Sequence, residues 1–163
     1  MRRILTIGFI SLFLFIVDNS IMPFLTIYGY SPSLLFIYII SISIIYGKWE
    51  GLWFGIFTGM LQDVFFGVGF GINSMTNMLM CVAAGEIGIN IIKKKALIPV
   101  CTCFVLSLLK GFIVFVILYM FGSHMSLITI LFSSIYNTVV CLIMYRYIYK
   151  FSQKRFMHKE WRF

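Results

Sequence analysis

Six apolar stretches follow one another along the chain, and short polar connections separate them. They cover residues 4–22, 32–46, 51–66, 71–92, 96–121 and 127–149. Most are close to the ~20 residues that a helix needs to cross the hydrocarbon of a bilayer. This pattern predicts an all-α polytopic membrane protein with six transmembrane helices.

The basic residues occupy alternate connections between these stretches. They occur at the N-terminus, at Lys48, at Lys93–Lys95 and throughout the C-terminal segment, whereas residues 23–31, 67–71 and 122–126 contain no Lys or Arg. Cytoplasmic connections of membrane proteins carry an excess of Lys and Arg. The sequence therefore predicts that both termini are cytoplasmic.

Composition supports a membrane protein and limits what else the chain contains. The sequence is 61% hydrophobic and 11% charged, whereas a soluble domain has about 25% charged residues. Its net charge of +8 lies mostly at helix ends, where it favours the anionic lipids of the inner leaflet rather than nucleic acid. We expect a six-helix transmembrane domain over residues 1–149, followed by a basic, aromatic cytoplasmic tail over residues 150–163 that contacts membrane lipids.

The chain lacks the patterns that accompany catalysis or cofactor binding. His124 and His158 are isolated, and no nucleophile, phosphate-binding or zinc motif is present. The cysteines lie inside apolar stretches without metal-ligand spacing, which predicts buried thiols; they are Cys81, Cys101, Cys103 and Cys141. We expect a protein that is not an enzyme and that has no cofactor or metal.

Three charged residues are predicted to lie at one depth in the membrane. With a rise of ~1.5 Å per residue, Asp18, Asp63 and Lys110 lie about 20–22 Å from the inner ends of their helices, and Asn137 lies at about 18 Å. This depth is in the outer half of a hydrocarbon core roughly 30 Å thick. Ionisable groups at this depth are costly unless paired, so the sequence predicts an ion cluster with Lys110 as the shared cation. Such a cluster serves either as an ion or ligand site or to hold the helices in register and couple them to a partner; the absence of a conduction path favours the second interpretation.

Small and polar residues mark further helix surfaces. Glycines at every fourth position favour close approach of a second helix in lipid. We expect them to form a packing seam within the chain rather than a homodimer face. We also expect the third helix to lie at the centre of the bundle. These glycines are Gly47, Gly51, Gly55 and Gly59. In the fourth stretch, Asn73 and Asn77 lie near the outer end, and this edge and the glycine stripe are the candidate surfaces for a partner helix. Glu86 lies near the inner end, about 10 Å along the helix from Lys93, and we expect it to approach Lys93–Lys95 or the inner headgroups.

A segment of the third stretch resembles a known family. The run containing Gly55, Gly59, Leu61 and Asp63, with the glycine-rich turn that follows it, is similar to the rod shape-determining protein MreD family. The end of the first stretch, with Asp18 and a proline five residues later, is similar as well. The resemblance points to Gly55, Gly59 and Asp63 as family positions, and more weakly to Asp18.

The resemblance implies a non-enzymatic inner-membrane component of the bacterial elongation machinery, which builds peptidoglycan in rod-shaped cells. In that family the protein works with the single-span protein MreC. Their complex links MreB filaments to the RodA glycosyltransferase and a class B penicillin-binding protein. The resemblance also implies a fold like that of the six-helix substrate-binding subunits of energy-coupling-factor transporters.

Two other functions fit the pattern. A vitamin-binding subunit of an energy-coupling-factor transporter would use the polar layer as a ligand pocket. Such subunits dock their coupling partner through small residues of the first helix, where this chain has only Gly8 and Ser11 among bulky side chains. A generic membrane scaffold is the third possibility.

Overall fold

A computed structural model describes residues 2–25, 32–66, 71–89, 97–120 and 127–153, and all regular structure within these ranges is helical. These ranges contain six α-helices, so the all-helical, six-helix prediction is confirmed. The helices are α1 (Arg2–Ser20, followed by a 3-10 turn at Met22–Leu25), α2 (Leu34–Tyr46), α3 (Lys48–Phe66), α4 (Ile72–Ile89), α5 (Leu97–Met120) and α6 (Leu127–Ser152). Three helical segments, Arg3–Phe24, Leu97–Met120 and Ile128–Ser152, are long and apolar enough to cross a membrane.

The centre of the bundle is α2. Ten consecutive residues, from Leu35 to Ile44, are buried on every face of this helix, and it contacts all five other helices. A helix that is hydrophobic all round is suited to complete burial. The prediction that the third helix is central was wrong, because α3 carries large side chains such as Trp53 and Val64 that remain exposed.

One residue connects α2 to α3. Gly47 has a φ of 104°, a left-handed conformation that residues with a Cβ adopt only with strain. Its amide donates to the carbonyl of Ser43, which ends α2, and the chain reverses directly into α3. Gly47, predicted to begin the packing stripe, therefore belongs to the turn instead: a side-chain carbon built there has no neighbour within 4 Å.

Candidate functional site

Asp18, near the end of α1, binds the start of α2. Its carboxylate oxygens accept hydrogen bonds from the backbone amides of Leu34 at 2.8 Å and Leu35 at 2.9 Å. The Ser33 hydroxyl donates to the same carboxylate at 3.3 Å. The first amides of a helix have no partner within that helix, and the positive end of its dipole favours an anion. Asp18 therefore caps α2 from a neighbouring helix.

Asp63 does the same for α4. Only 4% exposed, it accepts hydrogen bonds from the backbone amides of Gly71 at 3.0 Å, Asn73 at 2.9 Å and Ser74 at 3.0 Å. Gly71 has a φ of 99°, which glycine adopts readily, and this conformation precedes the first turn of α4. The acid at the end of α3 thus anchors the helix that follows it.

Lys110 does not form the predicted contacts with these acids. Its ammonium lies over the Phe36 ring, 4.6 Å from the ring centroid, and among the residues that the structure describes no carboxylate is within ion-pair distance of it. The acids attract it only through space. The charges of this layer nevertheless sum to nearly zero. The two carboxylates are balanced by one ammonium and by two helix starts of roughly half a positive charge each. Two helix caps and a separate ammonium therefore replace the predicted ion cluster.

Asn137 connects three helices at the same level. Its amide oxygen accepts a hydrogen bond from the backbone of Ser33 at 2.9 Å, and its amide nitrogen donates to the Ser107 hydroxyl at 2.8 Å. These bonds join α6 to the start of α2 and to α5. Asn137 is 7% exposed, so both bonds lie in the interior.

Two small cavities share Lys110 in their linings. One, of about 220 Å³, is lined by Asp18, Gln62 and Asn73, and the other, of about 240 Å³, by Asn137 and Asn73. Lys110 lines both. The predicted polar layer is thus brought together around these cavities, with Asp63 joined to it through the backbone of Asn73.

Asn77 lies inside the protein and makes a contact that the sequence did not indicate. Its side chain is fully buried, and its amide nitrogen donates to the Gln62 side-chain oxygen at 2.9 Å. Gln62 was absent from the predicted site. The signal that would have found it is simple: it is a polar residue in an apolar helix, adjacent in sequence to Asp63, and such residues in lipid are usually turned inward.

The glycine stripe of α3 faces α4 at very short range. A side-chain carbon at Gly55 would lie 3.0 Å from the Asn77 carbonyl oxygen, and one at Gly59 would lie 2.6 Å from that of Asn73. At Gly51 it would lie 3.0 Å from the Cys81 carbonyl oxygen. The stripe is therefore occupied by packing within the chain.

At the helix ends opposite the polar layer, the residues that the structure describes form two ion pairs. Glu86 pairs with Lys48 at 3.0 Å on an exposed surface, while Lys93–Lys95 lie outside the described residues. Arg3 of α1 pairs with Glu50 of α3 at 2.6 Å, in a more buried position. The sequence did not predict either pair, since their partners are 38 and 47 residues apart.

A family model described as rod shape-determining protein MreD matches residues 1–155 of the 163-residue chain. No curated protein and no solved structure matches the chain significantly.

Proposed function

Because this chain belongs to the MreD family of rod shape-determining proteins, we propose that it is a non-enzymatic scaffold of the bacterial cell-elongation machinery that acts with an MreC-like single-span protein. A role in rod shape determination and a bacterial membrane location follow from the family itself. The family match, which covers nearly the whole chain, is the observation that carries the proposal.

The proposed arrangement in the membrane has six crossings and both termini in the cytoplasm. Within the described ranges, three helices have the length and composition for a crossing on their own. The shorter α2 is surrounded by the others, so its 13 residues need not match the lipid thickness. Residues 150–163 form the proposed lipid-facing tail, although α6 itself continues to Ser152.

The internal contacts of the acids support a scaffold rather than a catalyst. Asp18 and Asp63 each hold the first turn of a neighbouring helix, with both carboxylate oxygens engaged. A group held in this way keeps helices in register. Such rigidity favours recognition of a partner helix, because less conformational freedom is lost on binding.

The proposed partner surface is the outer half of the helices together with the connections at that end. The glycine stripe and Asn77 do not form that surface, since α4 covers the one and the interior encloses the other. Exposed apolar residues such as Val64 and Met75 remain available near the outer ends of α3 and α4. Contact with MreB, RodA and the class B penicillin-binding protein, direct or through MreC, belongs to the same proposal.

Co-expression with MreC tests the proposal. We expect a complex that survives detergent extraction and affinity isolation. The double variant Val64→Ala/Met75→Ala should reduce the amount of MreC recovered. Its matched control is Leu5→Ala/Ile89→Ala, which removes similarly exposed side chains at the opposite ends of the helices: Val64 and Met75 are 74% and 60% exposed, Leu5 and Ile89 71% and 61%.

The outcomes separate the alternatives. If only the Leu5→Ala/Ile89→Ala control loses MreC, the surface lies at the inner ends. Should the wild-type protein ignore MreC and copurify with a vitamin and a coupling ATPase, the protein is a transporter subunit, for which the two polar cavities would be the ligand pocket.

A further inference from the structure

The N–H groups of the Lys110 ammonium have no hydrogen-bond acceptor among the described residues. Its nearest acids are occupied by the amides that start α2 and α4, and among the described residues no oxygen accepts a hydrogen bond from it. The charges of the layer nearly balance, which lowers the electrostatic cost of burying the ammonium. This balance does not give the ammonium N–H groups a hydrogen-bond acceptor. A largely buried ammonium in this state is costly, since desolvated donors normally find an acceptor.

Other free donors line the same two cavities. The side-chain amide of Asn73 makes no hydrogen bond to a described residue and lines both cavities. The Gln62 amide nitrogen lines the first cavity, and in the part of the chain that the structure describes only its oxygen is engaged, by Asn77. The Ser133 hydroxyl lines the second. A cation surrounded by amide and hydroxyl donors is the usual chemistry of an oxyanion site.

The size and walls of the cavities restrict the ligand. Volumes of about 220 and 240 Å³ are below the usual range for drug-sized molecules but far above the ~30 Å³ of a water molecule. The second cavity is polar at Asn137 and Ser107 and apolar at Val114 and Ile130. It therefore offers contacts to a charged group and to a hydrocarbon chain at once.

We propose that Lys110 and Asn73 bind an oxyanion of the phosphate type, held between α5, α6 and the starts of α2 and α4. Two sources of this chemistry exist: the phosphodiester of a membrane lipid, or a free phosphate. The proposal is independent of the MreC partnership.

Thermal unfolding of the purified protein in a phosphate-free maltoside detergent tests the site. The probes are phosphatidylglycerol, inorganic phosphate, and diacylglycerol, which has the same acyl chains without phosphate. A thiol-reactive dye detects unfolding through the buried cysteines Cys81, Cys103 and Cys141. Cys101 is exposed, contrary to the expectation of a buried thiol, so it is replaced by Ser in every protein compared. We expect phosphatidylglycerol to raise the unfolding midpoint more than diacylglycerol does. A matching effect of inorganic phosphate would identify a free anion as the ligand, and its absence would identify the lipid.

Variants distinguish this site from the basic surface of the protein. Lys110→Met and Asn73→Ala should each weaken the phosphate-dependent stabilisation roughly tenfold or more in apparent affinity, as loss of a charge-assisted or buried hydrogen bond predicts. Lys110→Arg should retain much of it. Thr102→Val is the matched control on α5, because Thr102 is buried and, among the described residues, its hydroxyl bonds only to Ile98 of its own helix.

Two results would overturn the proposal. The first is equal stabilisation by phosphatidylglycerol and diacylglycerol, with no effect of inorganic phosphate. The second is a phosphate-dependent shift that remains unchanged in Asn73→Ala, whose side chain makes no hydrogen bond to a described residue, and in Lys110→Met if it folds.

Discussion

A carboxylate in the interior of a membrane protein stabilises the fold only if its oxygens are fully hydrogen-bonded. Removing such a charge from water costs several kcal/mol, and each hydrogen bond to a charged group contributes about 1.5–3 kcal/mol. Asp63, with three backbone donors, meets this requirement. Asp18, with two amides and one hydroxyl, meets it as well.

The caps predict a graded response to substitution at Asp63. Asp63→Ala should lower the free energy of unfolding by at least about 2 kcal/mol, because the first amides of α4 lose their acceptor in the interior. Asp63→Asn should cost less, since an amide oxygen still accepts a hydrogen bond. Thermal unfolding in detergent measures both.

Glu86→Ala provides the control for this series. Glu86 is also a carboxylate, but its pair with Lys48 is exposed, and exposed pairs contribute little to stability. Equal losses for Asp63→Ala, Asp63→Asn and Glu86→Ala would show that Asp63 does not cap α4.

At the level of elements, α3 and α4 form the most closely packed pair. Without a hydrophobic driving force between helices in lipid, close backbone approach supplies van der Waals contact that bulky residues would prevent. Glycines contribute from both helices: besides the stripe on α3, Gly85 of α4 lies against the turn before α3, where a side-chain carbon would be 2.8 Å from the Gly47 carbonyl carbon. The pair therefore depends on glycine in both partners.

Gly59→Ala and Gly8→Ala should behave in opposite ways. A methyl group at Gly59 meets the backbone of Ser74 and Asn73, which cannot turn aside as a flexible side chain would. We expect a loss of about 1–3 kcal/mol from overpacking. Gly8, in the middle of α1, has nothing within 4 Å of that position, so its substitution should be neutral or slightly stabilising.

Unfolding midpoints in detergent compare the two variants directly. If Gly59→Ala is as stable as Gly8→Ala, the close approach of α3 and α4 is not present in the folded protein.

For the molecule as a whole, the distribution of charge predicts the orientation in the membrane. The helix ends that we predict to be cytoplasmic carry the Arg3–Glu50 and Lys48–Glu86 pairs, while the polar layer of Asp18, Asp63 and Lys110 lies toward the other end. Basic residues remain on the cytoplasmic side during insertion. The exposed apolar side chains of α1, α5 and α6 then face lipid or a partner helix.

Cysteine labelling tests this orientation. In a background with the four native cysteines replaced, cysteine at Gly29 or Ser123 should react with an impermeant thiol reagent added outside the cell, because their connections contain no Lys or Arg. Cysteine at Lys94 should react only after the membrane is opened. If cysteine at Lys94 were labelled from outside and cysteine at Gly29 or Ser123 were not, the prediction that both termini are cytoplasmic would be wrong.

The lengths of the apolar stretches and the charges between them were sufficient to predict six helices, because both are local properties of the chain. The same information indicated that Asp18, Asp63, Lys110 and Asn137 share one level, since helical rise converts sequence distance into depth. The family motif at Gly55, Gly59 and Asp63 was visible in the residues themselves, and the family it indicated is confirmed.

Partners within that level depended on the tertiary structure. Depth leaves the rotation and neighbours of each helix open, so the start of α2 beside Asp18, and that of α4 beside Asp63, could not be inferred from distance along the chain. A carboxylate binds nearby backbone amides that lack a partner in preference to an ammonium that lies farther away. With both acids bound to helix starts, Lys110 lies against Phe36 instead. The central position of α2 also depended on the tertiary structure, because the packing of all five other helices together decides which helix is enclosed.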